Sequence, residues 1–171
     1  IYLNNPGISF LDDHLFHFKY AYLLRTSGPN VVDNFNWVYY SKTARDHLGF
    51  PLSLFNLTLI PFTFFKDMIL GLKLSDIFLA SLGVSLLYFV FRRSKVKMPL
   101  LFIFFLMSSE YFIARMLSGR AMVLTIALVF LEIYLATKKE YRKFFFVALF
   151  HILWHFTTAF FPILISGILE L

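Results

Sequence analysis

The chain has 171 residues, of which 59% are hydrophobic, 20% aromatic and only 15% charged, and its mean hydropathy is +0.72. No soluble domain of this length can bury so much apolar surface, so the composition excludes a water-soluble globular protein and predicts an all-α, multi-pass transmembrane helical bundle. The net charge of +6 comes from short basic runs beside apolar stretches, which argues against a nucleic-acid partner, and the lack of cysteine excludes disulfides.

The polar opening of the chain, residues 1–47, is predicted to contain a short amphipathic helix that ends at Ser27-Gly28-Pro29. At about 3.6 residues per turn, one face of this helix carries Asp13, His17 and Tyr20. The opposite face carries Leu15, Phe18 and Tyr22. The helix can therefore lie on a membrane and present its acid to water. Because the chain begins at Ile1 without a signal-peptide pattern, we expect a further span upstream.

The two acids of this helix, Asp12 and Asp13, have two alternative roles. Either carboxylate can simply cap the N-terminus of the helix. Alternatively, a carboxylate at the lipid–water boundary can act as a general base on an acceptor hydroxyl or amide, or help to hold a divalent metal, with a neighbouring His17 or Lys19 to tune it. The sequence leaves both roles open.

Apolar stretches occupy residues 48–171, and each is compared with the roughly 20 residues that a helix needs to cross a bilayer. Four are uninterrupted: Leu74–Phe91, Met98–Phe112, Met122–Ala136 and Phe144–Ile168. The stretch that precedes them, Leu48–Phe65, contains two prolines and is predicted to lie shallowly or to re-enter the membrane. We expect the whole chain to form one transmembrane domain, with residues 1–47 as an external loop.

Basic loops predict the orientation of these stretches, because short loops rich in Lys and Arg stay in the cytoplasm. One such loop contains Arg92, Arg93, Lys95 and Lys97, and the other contains Lys138, Lys139, Arg142 and Lys143. The connection Ser108–Arg120 between them is then the external tip of a hairpin. Residues 1–47 share its aqueous face if Leu48–Phe65 does not cross, and lie in the cytoplasm if it does.

The hairpin tip carries charges that are costly beside apolar helices: Glu110, Arg115 and Arg120, around Ser118-Gly119. The guanidinium group offers a fork of donors that suits phosphate, so the two arginines are candidates for an anionic ligand. The alternative is that both side chains extend to the lipid headgroups.

Two histidines on the last apolar stretch, His151 and His155, are four residues apart, which is the spacing of a two-histidine metal half-site. No acid lies nearby in the sequence, so the alternative is a pair that packs between helices or lines a donor cavity. Glu132 and Asp76 are single acids in apolar stretches with the same ambiguity. A histidine-dependent metalloenzyme would require bound metal.

Taken in order, these features resemble the N-terminal portion of a membrane glycosyltransferase of the GT-C superfamily, which includes oligosaccharyltransferase catalytic subunits and enzymes that use polyprenyl-phosphate sugars. The external loop of that family carries an acid, three further residues, a His or Asn, an aromatic and a basic residue, and here Asp13, His17, Phe18 and Lys19 match. The segment Arg115–Gly119 is similar to the Arg and Gly pattern of a second external loop. His155 is similar to a histidine in a later helix.

The resemblance implies inverting transfer of a sugar from a polyprenyl-phosphate donor to a glycan, lipid or protein acceptor of the cell envelope, at the external face of the cell membrane. It implies Asp13, or Asp12, as the catalytic base, and Mg²⁺ or Mn²⁺ held by Asp13 and Glu110 is compatible with it. The residues implied to bind donor or lipid phosphate are His17, Lys19, Arg115, Arg120 and His155.

The chain departs from the oligosaccharyltransferase pattern after the second loop, where Arg120-Ala121-Met122 replaces an acidic pair. This departure argues against metal binding and the transfer of whole oligosaccharides, and favours a transferase of single sugars. A segment of a transporter or channel would explain the apolar helices and their charges equally well. It would not predict an acidic helix on the same side as the arginines, so a cytoplasmic location of residues 1–47 would favour the transporter.

Overall fold

The structure of the chain, a computed structural model, describes residues 12–29, 53–117 and 120–169. Within these ranges the regular structure is helical and contains no β-strand, which confirms the predicted all-α class. The chain divides into two compact units, Ile1–Ser75 and Asp76–Leu171, which are described separately below. The predicted boundary at residue 47, between an external loop and the transmembrane helices, stays a prediction.

The first unit contains helix α1 (Asp12–Ser27), which confirms the helix predicted in the opening segment. Gly28 ends it in the left-handed region, with φ of 71°, and the Gly28 amide bonds to the Leu24 carbonyl over 3.0 Å. The predicted division into a wet and an apolar face is wrong at Tyr20, which is fully buried, as are Phe18 and Ala21. The reason is that α1 packs against two other elements at once.

Those elements are helix α2 (Leu54–Leu59) and a 3₁₀-helix (Ile60–Phe64), which follows it directly. Ser53 caps α2, because its hydroxyl accepts a hydrogen bond from the backbone N–H of Asn56 over 3.3 Å. Pro61 lies at the start of the 3₁₀-helix, where its missing N–H removes the donor for an α-helical bond. The described part of the stretch Leu48–Phe65 is therefore short and changes its helix type midway.

Helix α3 (Met68–Arg93) begins earlier than the predicted start at Leu74. Asp67 explains the early start, because its Oδ1 accepts hydrogen bonds from the amides of Ile69 and Leu70, over 2.9 and 3.2 Å. Lys73 consequently lies within the helix and is only 3% exposed. The acid Asp76, one turn further on, is also buried, at 1% exposed.

The predicted apolar stretch Met98–Phe112 is not one continuous helix, because it consists of two helices, α4 (Pro99–Met107) and α5 (Glu110–Met116), bent by 88°. Two serines make the bend. The Ser108 hydroxyl donates to the Phe104 carbonyl over 2.8 Å, and the Ser109 hydroxyl accepts from the Phe112 amide and so starts α5. The predicted hairpin tip thus contains a helix of its own.

Helix α6 (Met122–Thr137) matches the predicted stretch Met122–Ala136. The predicted long helix Phe144–Ile168 is wrong, because it is broken into α7 (Tyr141–Trp154), a 3₁₀-helix (Phe156–Thr158) and α8 (Phe160–Leu169). The break lies at His155, with φ of −145° and ψ of 86°. Helix α6 packs against α5, α7 and α8 and is the centre of the second unit.

Large apolar side chains cover much of the helical surface; Phe104, Phe146 and Ile163 are 66%, 68% and 67% exposed. In the part of the chain that the structure describes, α3 is the one helix long and apolar enough to cross a membrane. Helices α4 and α5 pass the same test only if they are taken together as one bent span. The shorter apolar segments are Leu54–Phe64, Met122–Thr137 and Phe156–Ile168.

Candidate functional site

A cavity of about 320 Å³ in the second unit brings together the two predicted phosphate-binding arginines, Arg115 and Arg120. The other lining residues are Tyr111, Phe112, Met116, Met122, Val123 and Ile126. The cavity, called the arginine cavity below, therefore combines two guanidinium groups with a wall that is otherwise largely apolar. Such a wall suits a ligand with an anionic head and an apolar body.

Helix α5 positions Arg115 in its last turn, one turn after Tyr111. The Nη2 and Nε atoms of Arg115 donate to the Tyr111 hydroxyl over 3.0 and 3.2 Å, and its guanidinium carbon lies 5.2 Å from the ring centroid of Tyr111. Arg115 is exposed, whereas Arg120, just before α6, is half-buried. The tyrosine thus orients one of the two cations at the cavity.

Glu110, the predicted metal ligand of the hairpin tip, does not line the arginine cavity. It lies exposed in the first turn of α5, where the helix dipole favours a negative charge. Among the described residues no group of three or more His, Cys, Asp or Glu could hold a metal ion. The Asp13 side chain lies outside the described part, so a metal held by Asp13 stays a prediction.

The acidic end of α1 carries the predicted catalytic residues Asp12 and Asp13, and the structure describes the helix there but not their side chains. One turn on, His17 Nδ1 lies 2.9 Å from Asn56 Oδ1, and its ring meets the Phe55 ring edge-on at 5.0 Å between centroids. An amide oxygen can only accept, so His17 Nδ1 carries the proton and donates it. His17 therefore ties α1 to α2, and its predicted binding to donor or lipid phosphate stays a prediction.

Lys19, the other predicted contact with phosphate in α1, is directed to an aromatic ring. Its ammonium nitrogen lies 4.9 Å from the ring centroid of Tyr22, and Arg25 approaches the same ring at 5.2 Å. Lys19 also lines a cavity of about 150 Å³ with Leu15 and Phe18. Its predicted binding to phosphate stays a prediction.

The two histidines of the candidate half-site, His151 and His155, meet different partners, because α7 ends at Trp154 and His155 lies at the break. His151 is fully buried and points to α6, where its Nδ1 lies 2.8 Å from Glu132 Oε1. His155 lies at the break, with its Nδ1 3.4 Å from Thr125 Oγ1 and its Nε2 2.7 Å from Thr157 Oγ1. The alternative of histidines that join neighbouring helices is the one that agrees with these distances.

A buried network that the sequence did not predict joins Glu132, His151 and Thr158. Glu132 is 0% exposed and its partner is His151 of the next helix, whose Nε2 lies 3.0 Å from Thr158 Oγ1. A signal for this pair was present, since an acid in the middle of an apolar helix needs a partner and a histidine in a neighbouring helix can supply it. The separation of 19 residues concealed it.

The break in the last apolar stretch contacts the beginning of α6, beside Arg120. The indole nitrogen of Trp154 donates to the Ala121 carbonyl over 2.8 Å, and Trp154 is only 2% exposed. Together with the contact between His155 and Thr125, this bond attaches the end of α7 to the first turn of α6. Arg120, the residue before Ala121, lines the arginine cavity.

Asp13 belongs to the first unit and the two arginines belong to the second. Their predicted meeting at one external face therefore stays a prediction. Comparisons with protein-family models, with curated proteins and with solved structures find no match to this chain.

Proposed function

We propose that the chain is part of a multi-pass membrane protein. Helix α3 has 26 residues and at about 1.5 Å per residue extends about 39 Å, longer than the roughly 30 Å of the hydrocarbon core. The eight basic residues of the two predicted cytoplasmic loops are all exposed: Arg92, Arg93, Lys95, Lys97, Lys138, Lys139, Arg142 and Lys143. Exposed phenylalanines on α4 and α7 support contact with lipid.

The orientation proposed is that of the positive-inside rule, with both basic loops in the cytoplasm. Helices α4 and α5 then leave the cytoplasm as one bent segment and α6 returns, which places the arginine cavity toward the external side. The segment Leu54–Phe64 is less than about 20 Å long, so it supports the shallow or re-entrant placement that leaves residues 1–47 outside.

We infer that the protein is a membrane glycosyltransferase that transfers a sugar from a polyprenyl-phosphate donor to an acceptor at the external face. The observation that carries this proposal is the arginine cavity, in which Arg115 and Arg120 share one space with apolar walls. A polyprenyl phosphate has the same two parts, an anionic phosphate and an apolar chain. Two cations at one cavity attract such an anion more strongly than either would alone.

In the proposed reaction Asp13 accepts the proton of the acceptor hydroxyl as the acceptor oxygen attacks the anomeric carbon. The bond between that carbon and the phosphate oxygen breaks, and its electron pair leaves with the polyprenyl phosphate. Arg115 and Arg120 stabilise the negative charge that develops on this leaving group. The configuration at the anomeric carbon inverts, because the attack and the departure occur on opposite sides.

Binding of undecaprenyl phosphate to the full-length protein tests the arginine cavity. We expect the variant Arg120→Gln to weaken this binding at least about tenfold, because it removes one charge-assisted contact with phosphate. Isothermal titration in detergent micelles measures the Kd, and Arg142→Gln, on the exposed loop before α7, is the matched control with unchanged affinity.

Two further ligands decide what the arginines recognise. Undecaprenol, which lacks the phosphate, should bind wild-type protein more weakly than undecaprenyl phosphate. Phosphatidic acid should not compete, because its two acyl chains do not match a single isoprenoid chain. Equal binding of the alcohol and the phosphate, or full competition by phosphatidic acid, would contradict the proposal and favour arginines that only meet the headgroups.

The base is tested by comparing Asp13→Asn with Asp12→Asn in full-length protein. We expect Asp13→Asn to reduce sugar transfer by about 100-fold or more, the usual contribution of general base catalysis. Asp12→Asn should retain most of the activity, which is followed as radiolabelled sugar passing from polyprenyl phosphate to endogenous acceptors in membranes. Unchanged transfer by Asp13→Asn would rule out this assignment.

A segment of a transporter or channel is the second candidate, and the buried pair of Glu132 and His151 is the observation that favours it, since ionisable groups inside apolar helices often line transport pathways. The two candidates differ in the location of residues 1–47. Modification of an introduced cysteine, Ser41→Cys, by an impermeant reagent from the external side agrees with the transferase, whereas modification only from the cytoplasm favours the transporter.

A further inference from the structure

The hydrogen bonds around Thr158 determine where one proton of His151 must be. Thr158 Oγ1 lies 2.8 Å from the His155 carbonyl oxygen and 3.0 Å from His151 Nε2. A carbonyl can only accept, so the single hydroxyl hydrogen of Thr158 is directed to it. His151 Nε2 must therefore carry a proton and donate it to Thr158.

The contact between His151 Nδ1 and Glu132 determines the number of protons on the other side of the ring. His151 Nδ1 and Glu132 Oε1 are 2.8 Å apart, a hydrogen-bond distance that requires a proton between them. If Nδ1 carries that proton, the pair is an imidazolium and a carboxylate. If Oε1 carries it, the pair is a neutral imidazole and a carboxylic acid. In both cases the pair holds one proton between its members and has no net charge.

Burial makes a net charge on this network costly. Glu132 and His151 are both 0% exposed, and the second carboxyl oxygen, Glu132 Oε2, has no hydrogen-bond partner among the residues that the structure describes. Removal of the shared proton would leave a carboxylate facing a bare ring nitrogen, with a net negative charge inside apolar helices. A neutral network avoids that penalty.

The network is placed where it can control the arginine cavity. Glu132 lies on α6, His151 on α7 and Thr158 in the 3₁₀-helix after the break, so the three side chains hold the break against α6. From the same break Trp154 reaches the Ala121 carbonyl, in the residue that follows Arg120. A change in the break is therefore transmitted to the first turn of α6, which supplies Met122 and Val123 to the cavity wall.

We propose that Glu132, His151 and Thr158 form a proton-holding network that positions the Arg120 wall of the arginine cavity. Glu132 and His151 are positioning residues in this proposal, because they act on the cavity through the break and α6. The ligand of the cavity rests on the proposed function, whereas the proton and the position of the wall are measured without any ligand.

The position of the proton on the His151 ring is determined by ¹⁵N NMR of histidine-labelled full-length protein in micelles. The chemical shifts of the two ring nitrogens show which of them is protonated. His151 is assigned among the five histidines by its loss in His151→Gln. We expect Nε2 to be protonated in wild type. In Glu132→Gln the new amide can donate to a bare Nδ1, so Nε2 should remain protonated and the network should persist. A His151 with a bare Nε2 and a protonated Nδ1 would overturn the proposal.

The position of the wall is read by an introduced cysteine, because the chain has none of its own. In Met122→Cys the maleimide reaction rate reports access to the cavity. Adding Glu132→Gln should leave this rate unchanged, whereas Glu132→Ala or Thr158→Val should change it by about tenfold, the effect expected when a buried polar partner is left unpaired. Glu140→Gln, at the exposed turn before α7, is the control without effect.

These readouts separate the two proposals. If wild type does not bind undecaprenyl phosphate but the cysteine rates follow this pattern, the proposed function fails and the positioning network stands. If Glu132→Gln and Thr158→Val both leave the rate unchanged, or change it equally, the network does not position the wall. Thr158→Val keeps the size of the side chain, so a changed rate reports the lost hydroxyl and not a new cavity, and circular dichroism of each variant checks that it is folded.

Discussion

Replacing Trp154 by alanine is expected to lower the free energy of unfolding by about 3–5 kcal/mol, the range for loss of a large buried aromatic side chain. Trp154 is 2% exposed, stacks on Phe150 with 5.9 Å between ring centroids, and donates to the Ala121 carbonyl. Alanine would leave a cavity at the junction of α7 and α6 and remove the hydrogen bond. Unfolding in detergent micelles, followed by circular dichroism, measures the change.

The matched control is Trp154→Phe, which keeps most of the ring and its stacking but loses the indole N–H. We expect it to cost only about 0.5–1.5 kcal/mol, because the Ala121 carbonyl also accepts from the Thr125 hydroxyl over 3.1 Å. Equal stability of the alanine and phenylalanine variants would mean that the buried ring does not anchor the break.

Gly71→Ala is expected to destabilise the first unit by about 1–3 kcal/mol, the usual effect of forcing extra atoms into a packed interior. A Cβ at this position of α3 would overlap the backbone carbonyl oxygen of Phe62, and the ring of Phe18 lies 3.2 Å away. The 3₁₀-helix that carries Phe62 would have to move, because a backbone oxygen cannot turn aside as a flexible side chain can. Chemical denaturation in micelles measures the loss.

Gly167→Ala in α8 is the control with the opposite expected sign. No atom of the described residues lies within 4 Å of a Cβ at Gly167, so alanine should stabilise the helix by up to about 1 kcal/mol through its higher helix propensity. If both glycine variants gain stability, the close approach of α3 to the 3₁₀-helix is absent and the packing of the first unit is wrong as described.

The replacements of Trp154 and Gly71 both change contacts between helical segments. The candidate site depends on contacts of the same kind. Arg120 precedes the first turn of α6, and that turn is contacted by Trp154 and His155 from the break. Loss of the Trp154 anchor should therefore also alter the arginine cavity. The stability of the second unit and the shape of its cavity are expected to change together.

Helices α3 and α6 could be predicted because each is a predominantly apolar run. The few polar residues within each run do not interrupt the helix. The start of α3 was missed since the cap at Asp67 is a hydrogen bond to Ile69 and Leu70, and apolarity does not show it. The bend between α4 and α5 was missed for a similar reason. Ser108 and Ser109 form local bonds there that compete with a straight helix.

The candidate site was predicted in part. The co-location of Arg115 and Arg120 followed from their short separation, and the arginine cavity contains both. Of the two interpretations of His151 and His155, the one in which they join neighbouring helices agrees with the structure, because a spacing of four residues places two side chains on one face only if the helix continues. The true partners, Glu132 for His151 and Asn56 for His17, are 19 and 39 residues away.

The sequence by itself determined that the chain is helical and apolar, because a chain with so few polar side chains must satisfy its backbone within helices wherever water is excluded. It also determined which polar residues were costly enough to need partners. Only the tertiary structure decided which residues those partners are and where the last apolar stretch breaks. The reason is that a buried hydrogen bond depends on the position of both groups in space, and distant helices bring those groups together only when they pack.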